Sequence, residues 1–231
     1  MDMEESIENR LKQIRLRIQN ACARVDRSPD DVRLLAVSKT HGPEHIREAV
    51  ACGLTVFGEN RVQEAKQKIP MCQNRIAWHM VGHLQNNKVR VAVPLFQMIH
   101  SVDSLKLLKA VDKACESIGF VMPVCLETNV AGESSKYGFV PEAVPEVLKS
   151  ANGMMHVDVV GLMTIPPITE DPEGSRHWFR CLREFRDQWR DQTGFALTEL
   201  SMGMSHDFEI AIEEGATWIR LGTIVFGKRG M

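Results

Sequence analysis

Apolar positions along this chain fall into two alternating kinds of run. One kind is short and continuous, bounded by turn residues; the other recurs every three or four positions along a longer stretch. The first reads as strands buried on both faces, the second as helices with one apolar stripe. Residues 5–28 read as an opening helix, with Leu11, Ile14, Ile18, Ala21 and Val25 on its stripe and Ser28-Pro29 as its stop. Arg10, Lys12, Arg15, Arg17, Arg24 and Arg27 take its other positions and read as a solvated outer face rather than a basic patch for nucleic acid or an acidic partner.

From there the two kinds alternate. Strands are predicted over 34–40, 55–60, 76–82, 97–102, 122–129, 157–165, 198–202 and 218–226. Helices are predicted over 43–52, 61–69, 88–93, 104–117, 141–151, 174–193 and 206–214. The helix over 104–117 carries Leu105, Leu108, Val111 and Cys115 on one stripe, and the one over 174–193 turns Trp178, Phe179, Leu182, Phe185 and Trp189 inward. Eight strands alternating with helices predict a parallel sheet, and eight is the number that closes a (β/α)8 barrel. No predicted helix follows the last strand, so the N-terminal helix is placed to fill that gap in the outer ring. The expected fold is α/β, a single TIM-type barrel with an extra N-terminal helix, one domain over residues 1–231.

Composition narrows the setting. The chain is 44% hydrophobic and 25% charged, ordinary for a soluble globular protein, and its net charge of −2 gives no general pull toward nucleic acid or membrane. No apolar run approaches the roughly 20 residues that span a bilayer. The first ten residues, MDMEESIENR, are acidic and polar, unlike a signal peptide. The 6 cysteines are irregularly spaced with no Cys-x-x-Cys pair, which points to reduced thiols in a cytoplasmic chain.

The chemistry begins at Leu34-Leu35-Ala36-Val37-Ser38-Lys39-Thr40, where an apolar run meets a lone cation at the carboxyl end of a strand. Low dielectric there would favour a neutral, nucleophilic amine, the form that makes Schiff bases with aldehydes, pyridoxal phosphate among them. Taken alone, Lys39 fits equally a strand-end lysine that reaches solvent. In such a barrel the site lies at the carboxyl ends of the strands, and phosphate commonly binds after strands seven and eight. Strand seven runs into Ser201-Met202-Gly203-Met204-Ser205, with Ser205 expected as the N-cap of the next helix; strand eight carries Arg220-Leu221-Gly222-Thr223. Alternation puts Arg220 and Gly222 on one face, aimed at the barrel mouth. Singly, these read as well as a helix cap and a surface ion pair. Together they place an aldehyde-reactive amine, a phosphate cradle and a cation in one mouth, with pyridoxal phosphate as the natural candidate.

These residues, with Phe57-Gly58-Glu59-Asn60, Trp78 to Lys88 and Gly161-Leu162-Met163-Thr164-Ile165, resemble the pyridoxal-phosphate homeostasis proteins, the barrel proteins similar to the alanine racemase N-terminal domain. The resemblance covers nearly the whole chain. It implies the barrel of fold-type III pyridoxal-phosphate proteins without their second β domain. It implies that Lys39 carries the cofactor as a Schiff base, that Arg220 faces the pyridine nitrogen, and that Ser205, Gly222 and Thr223 hold the phosphate with Ser201 beside them. Asn60 matches a polar residue near the ring hydroxyl. An arginine at the ring nitrogen keeps the pyridine unprotonated and weakens the cofactor as an electron sink. The implied role is a carrier or regulator in vitamin B6 homeostasis, without catalytic residues of its own. The implied partners are apoenzymes that receive the cofactor, or an unidentified protein. The expected state is a monomer. This chain has His41 where many relatives carry a second lysine, and Arg61 in place of a frequent tyrosine.

The rival reading is an enzyme resembling alanine racemase. Racemisation needs two bases on opposite faces of the substrate carbon, commonly lysine and a tyrosine from a second domain. Here the sequence ends at Met231, straight after the eighth strand, and its single tyrosine is Tyr137, beside Lys136 in a polar loop. A metal site is weakly supported. His79 is expected inside the barrel and His83 in the following loop, with no third ligand at recognisable spacing. Nor does a Gly-x-Ser-x-Gly elbow surround Ser205.

Overall fold

The computed structural model describes residues 6–72 and 75–227. Its centre is a closed barrel of eight parallel strands in chain order. They are β1 (Arg33–Val37), β2 (Val56–Glu59), β3 (Ala77–Met80), β4 (Met98–Val102), β5 (Met122–Glu127), β6 (Val157–Met163), β7 (Glu199–Ser201) and β8 (Trp218–Leu221). Outside them run α1 (Ile7–Ala23), α2 (Pro43–Ala51), α3 (Val62–Lys68), α4 (Val89–Ala92), α5 (Leu105–Glu116), α6 (Val144–Ala151), α7 (Arg176–Thr193), α8 (Phe208–Glu213) and α9 (Thr223–Phe226). The expected (β/α)8 barrel is therefore observed. No helix among the described residues is long and apolar enough to cross a membrane.

Because the sheet is closed, each strand buries both faces, and the apolar residues divide into two groups. Leu35, Val37, Val81, Met98, Cys125, Met163 and Trp218 fill the lumen. A much larger set, with Phe57, Phe96, Phe179 and Phe208 among its biggest members, packs the strands against the helices. This two-sided burial makes the strands read as continuous apolar runs rather than alternating ones. In β4 all five residues are buried.

Three expectations need correction. The first helix ends at Ala23, not residue 28, because the chain turns at Asp26, which has φ 55° and leaves Val25 exposed (the predicted start, residue 5, lies outside the described residues). Its basic side is solvated only in part: Lys12, Arg15 and Arg24 are exposed as expected, but four of its arginines also bond to neighbouring elements. Arg17 pairs with Glu209, Arg24 with Glu213, Arg15 donates to Cys52 O, and Arg27 donates to Ile212 O and Ala216 O. These bonds and the stripe of Leu11, Ile14 and Ile18 seat α1 against α8 and α9, in the gap where it was expected. Finally, the eighth strand stops at Leu221 instead of continuing to residue 226. Gly222 (φ −113°, ψ −83°) turns the chain into α9, so a short helix does follow the last strand.

Close approach of β6 and β7 depends on Gly161. A Cβ at that position would overlap Glu199 O and C, which are backbone atoms and cannot rotate away. Gly161→Ala should therefore lower stability by about 1–3 kcal/mol, the usual cost of overpacking. Gly153→Ala, where an added Cβ meets nothing within 4 Å, should change it by less than about 0.5 kcal/mol. Urea denaturation of the two variants checks the difference.

Candidate functional site

All eight strand ends open onto one rim, where a cavity of about 350 Å³ is lined by Lys39, Asn60, Ser205, Arg220, Gly222 and Thr223 together with apolar Val37, Val81 and Ile165. Six of the seven binding residues expected from sequence thus meet in one place. Met204, His41, His206 and Gly227 complete the lining, which among the described residues contains two full cations, two histidines and no carboxylate. A cavity of this make-up favours an anionic ligand.

Lys39 lies two residues past β1, in a turn whose next residue, Thr40, has φ 68°. Its parity continues that of Leu35 and Val37, which places it on the lumen side. The enclosure expected for it is not provided: Lys39 is half-buried, open to the mouth, and makes no hydrogen bond or ion pair among the described residues. Beside it, His41 stacks on Phe226 with ring centroids 4.8 Å apart.

Arg220 points into the lumen from β8 and is almost fully buried. Its Nη1 donates to Ser201 O (2.6 Å) and Ser201 Oγ (2.8 Å), and its Nη2 donates to Thr164 O (2.8 Å). Burial pushes its pKa down to about 10, so it stays charged at neutral pH. The carbonyls of Ser201, at the end of β7, and Thr164, just past β6, therefore aim the guanidinium. Ser201, expected to touch a ligand directly, is instead wholly buried beneath Arg220 and does not line the cavity.

Below Ser201 runs a polar chain that sequence reading did not find. Ser201 Oγ lies 2.7 Å from His100 Nδ1, and His100 Nε2 lies 3.0 Å from His79 Nδ1. A guanidinium can only donate, so Ser201 Oγ accepts from Arg220; the direction of the two bonds that follow is set by the tautomers of His100 and His79. Burial lowers the pKa of His79 to about 4 and holds that of His100 well below its usual value, which keeps both rings neutral. His79 is inside the barrel as expected. His83 lies in the loop after β3, also as expected, where it pairs with Asp103 (2.8 Å) and stacks on Tyr137 at 3.8 Å. Among the described residues no group of three or more His, Cys, Asp or Glu side chains could hold a metal ion.

Ser205 lines the cavity but is not a helix cap. Asp207 occupies the N-cap position of α8, and its carboxylate reaches back to the Met204 N–H (2.8 Å), leaving Ser205 in the preceding turn. Gly222 runs close to β1, where a Cβ would sit 3.3 Å from Val37 O. Asn60 contributes a buried Oδ1 with no hydrogen-bond partner among the described residues, a group whose isolation normally signals a missing ligand or water. Lys136 pairs with Glu133 (2.7 Å) and, like Tyr137, does not line the cavity.

Residues 10–230 match the family described as alanine racemase, N-terminal domain. A pyridoxal phosphate homeostasis protein of Aquifex aeolicus is 46% identical over 221 residues, which cover 95% of this chain and 97% of that protein. The structure of PipY from Synechococcus elongatus PCC7942 with PLP bound superposes with a TM-score of 0.86 at 38% identity, covering 96% of this chain and all of that one. An alanine racemase of Clostridium difficile shares the fold at 14% identity, with a TM-score of 0.73 over 95% of this chain and 57% of its own.

Glu127, the last residue of β5, is another buried ionisable group near the mouth. Burial, with Asp103 adding to it and Arg220 opposing it, pushes its pKa up to about 7. A carboxyl whose folded pKa is raised binds its proton more tightly in the native state, so stability falls as pH rises from the unfolded value toward 7. Glu127→Gln should abolish that fall. The variant should gain on the order of 3 kcal/mol over wild type at pH 8, and the gap should close toward pH 4. Urea unfolding across that range measures it.

Proposed function

The chain belongs to the family of pyridoxal phosphate homeostasis proteins, and on that premise we propose that it binds pyridoxal 5'-phosphate at the barrel mouth, with Lys39 as the point of covalent attachment. In this reading it carries or regulates the cofactor and is not an enzyme. The observation that carries the reading is the cavity itself. Among the described residues, a primary amine without a partner, a fixed guanidinium and a hydroxyl-bearing turn there surround a space that no carboxylate lines.

When bound, the cofactor supplies an aldehyde that condenses reversibly with a primary amine, losing one water, and a pyridine ring able to draw electrons. The residues present suit it. Ser205 and the backbone of Gly222 and Thr223 form the wall that would receive the phosphate. The orphaned Asn60 Oδ1 would accept a hydrogen bond from the ring hydroxyl. Arg220, pinned by two carbonyls, would keep a ring nitrogen beside it unprotonated. Ser201 then acts on Arg220 from beneath and not on the ligand. Weak electron withdrawal and a half-exposed amine suit storage and transfer to apoenzymes better than turnover. Tyr137, packed on His83, gives a racemase mechanism little support. Residues 1–231 are read as one binding unit, a cytoplasmic monomer; the free cysteines support the compartment.

Adding pyridoxal phosphate to the purified protein should shift the cofactor's visible absorption band, and borohydride should remove the band while leaving cofactor attached through denaturation. Lys39→Ala should show neither effect; an unchanged shift in that variant contradicts the attachment. Across a panel of amino acids the loaded protein should give no racemisation, transamination or decarboxylation above the free cofactor, whereas robust turnover favours the enzyme reading.

A further inference from the structure

Behind Lys39, on the helix side of the barrel wall, lies a buried ion cluster that the binding scheme leaves unused. Lys68, the last residue of α3, is 5% exposed. Its ammonium donates to Ser38 O (2.8 Å), Glu59 Oε1 (2.6 Å) and Glu64 Oε1 (2.8 Å), which accounts for all its N–H groups. Ser38 Oγ donates to the same Glu59 oxygen at 2.6 Å. The Thr40 amide donates to Glu64 Oε1 at 2.6 Å. Both neighbours of Lys39 are therefore tied to this one cluster. None of Glu59, Glu64 and Lys68 lines the cavity.

Stability alone is a poor account of this arrangement. Well-packed apolar side chains usually serve a barrel wall as well as a buried ion pair does. Apolar side chains, however, cannot hold a carbonyl on one side of a residue and an amide on the other. The turn also needs holding, because Thr40 is a β-branched residue in the left-handed region (φ 68°), a conformation that persists only where surrounding contacts impose it.

We propose that Lys68, together with Glu59 and Glu64, is a positioning group for Lys39, clamping residues 38 to 40 so that the Lys39 amine projects into the cavity. The inference rests on Lys39 being the attachment point, yet it concerns a turn whose rigidity is measured without cofactor.

The test uses the full chain in wild type and in Glu64→Ala, Glu64→Gln, Lys68→Met and Lys39→Ala, each first checked for a cooperative thermal transition. Amide hydrogen exchange at Thr40 is read without cofactor, and the rate of the absorption shift is read after adding pyridoxal phosphate. Glu64→Ala and Lys68→Met should speed exchange at Thr40 and slow the shift at least about tenfold, as loss of a reacting group's alignment does. Glu64→Gln keeps an acceptor for the Thr40 amide and should restore both toward wild type. Glu64 is part-exposed, so Glu64→Ala decides the matter if Lys68→Met does not fold. Wild-type exchange and rate in folded Glu64→Ala overturn the proposal, and so does an equal loss in Glu64→Ala and Glu64→Gln. Should Lys39→Ala keep the shift, the attachment reading fails, while exchange at Thr40 still tests the clamp independently.

Discussion

Parallel pairing of β1 with β8 is the constraint on which the mouth of this barrel depends. Leu35 lies opposite Arg220 and Ala36 opposite Leu221. The two ends of the chain therefore leave the sheet side by side and in the same direction. Lys39 emerges next to Gly222 and Thr223 although nothing local in sequence connects them. An antiparallel closure would send the two exits to opposite rims. Because all eight strands run one way, the turns after β2, β6 and β7 deliver Asn60, Ile165 and Ser205 to the same rim.

The charge arrangement follows from that geometry. Arg220 is buried, and its desolvation is offset by carbonyls that cannot move without breaking β7 or the end of β6. Beneath it Ser201, His100 and His79 carry the polar contacts on across the lumen. This chain of contacts adds no charge to the lumen, since both histidines stay neutral. The basic side chains that line the cavity, Lys39 and Arg220, stand above this neutral chain. Binding of an anion is favoured there by position and not by overall charge, which is −2.

Much of this is legible in the sequence, and the parts that are not share a physical cause. Continuous apolar runs reveal strands, and their alternation with helical stripes reveals the barrel; the rim residues follow because a parallel barrel has a single functional end. What periodicity cannot show is direction within a strand buried on both faces. In β4, where every residue is buried, nothing marks His100 as facing the lumen, and in β2 nothing marks Glu59 as facing α3. Ser201 reads as a ligand contact for the same reason: its polarity is plain, but not that Arg220 lies between it and the cavity. Element ends are the other blind spot. Ser205 has the chemistry of a cap, yet Asp207 takes that place; Gly222 turns a strand whose apolar run continues to Phe226. In both places backbone geometry overrides side-chain character.

The central claim is that one amine at the exit of β1 carries the cofactor. Reducing the loaded protein with borohydride, digesting it and mapping the peptides by mass spectrometry addresses it most directly. The phosphopyridoxyl mass should appear on the peptide that contains Lys39, in close to one-to-one amount. Its appearance on Lys136 or another lysine, or its absence from every peptide of a protein that had bound the cofactor, would contradict the account.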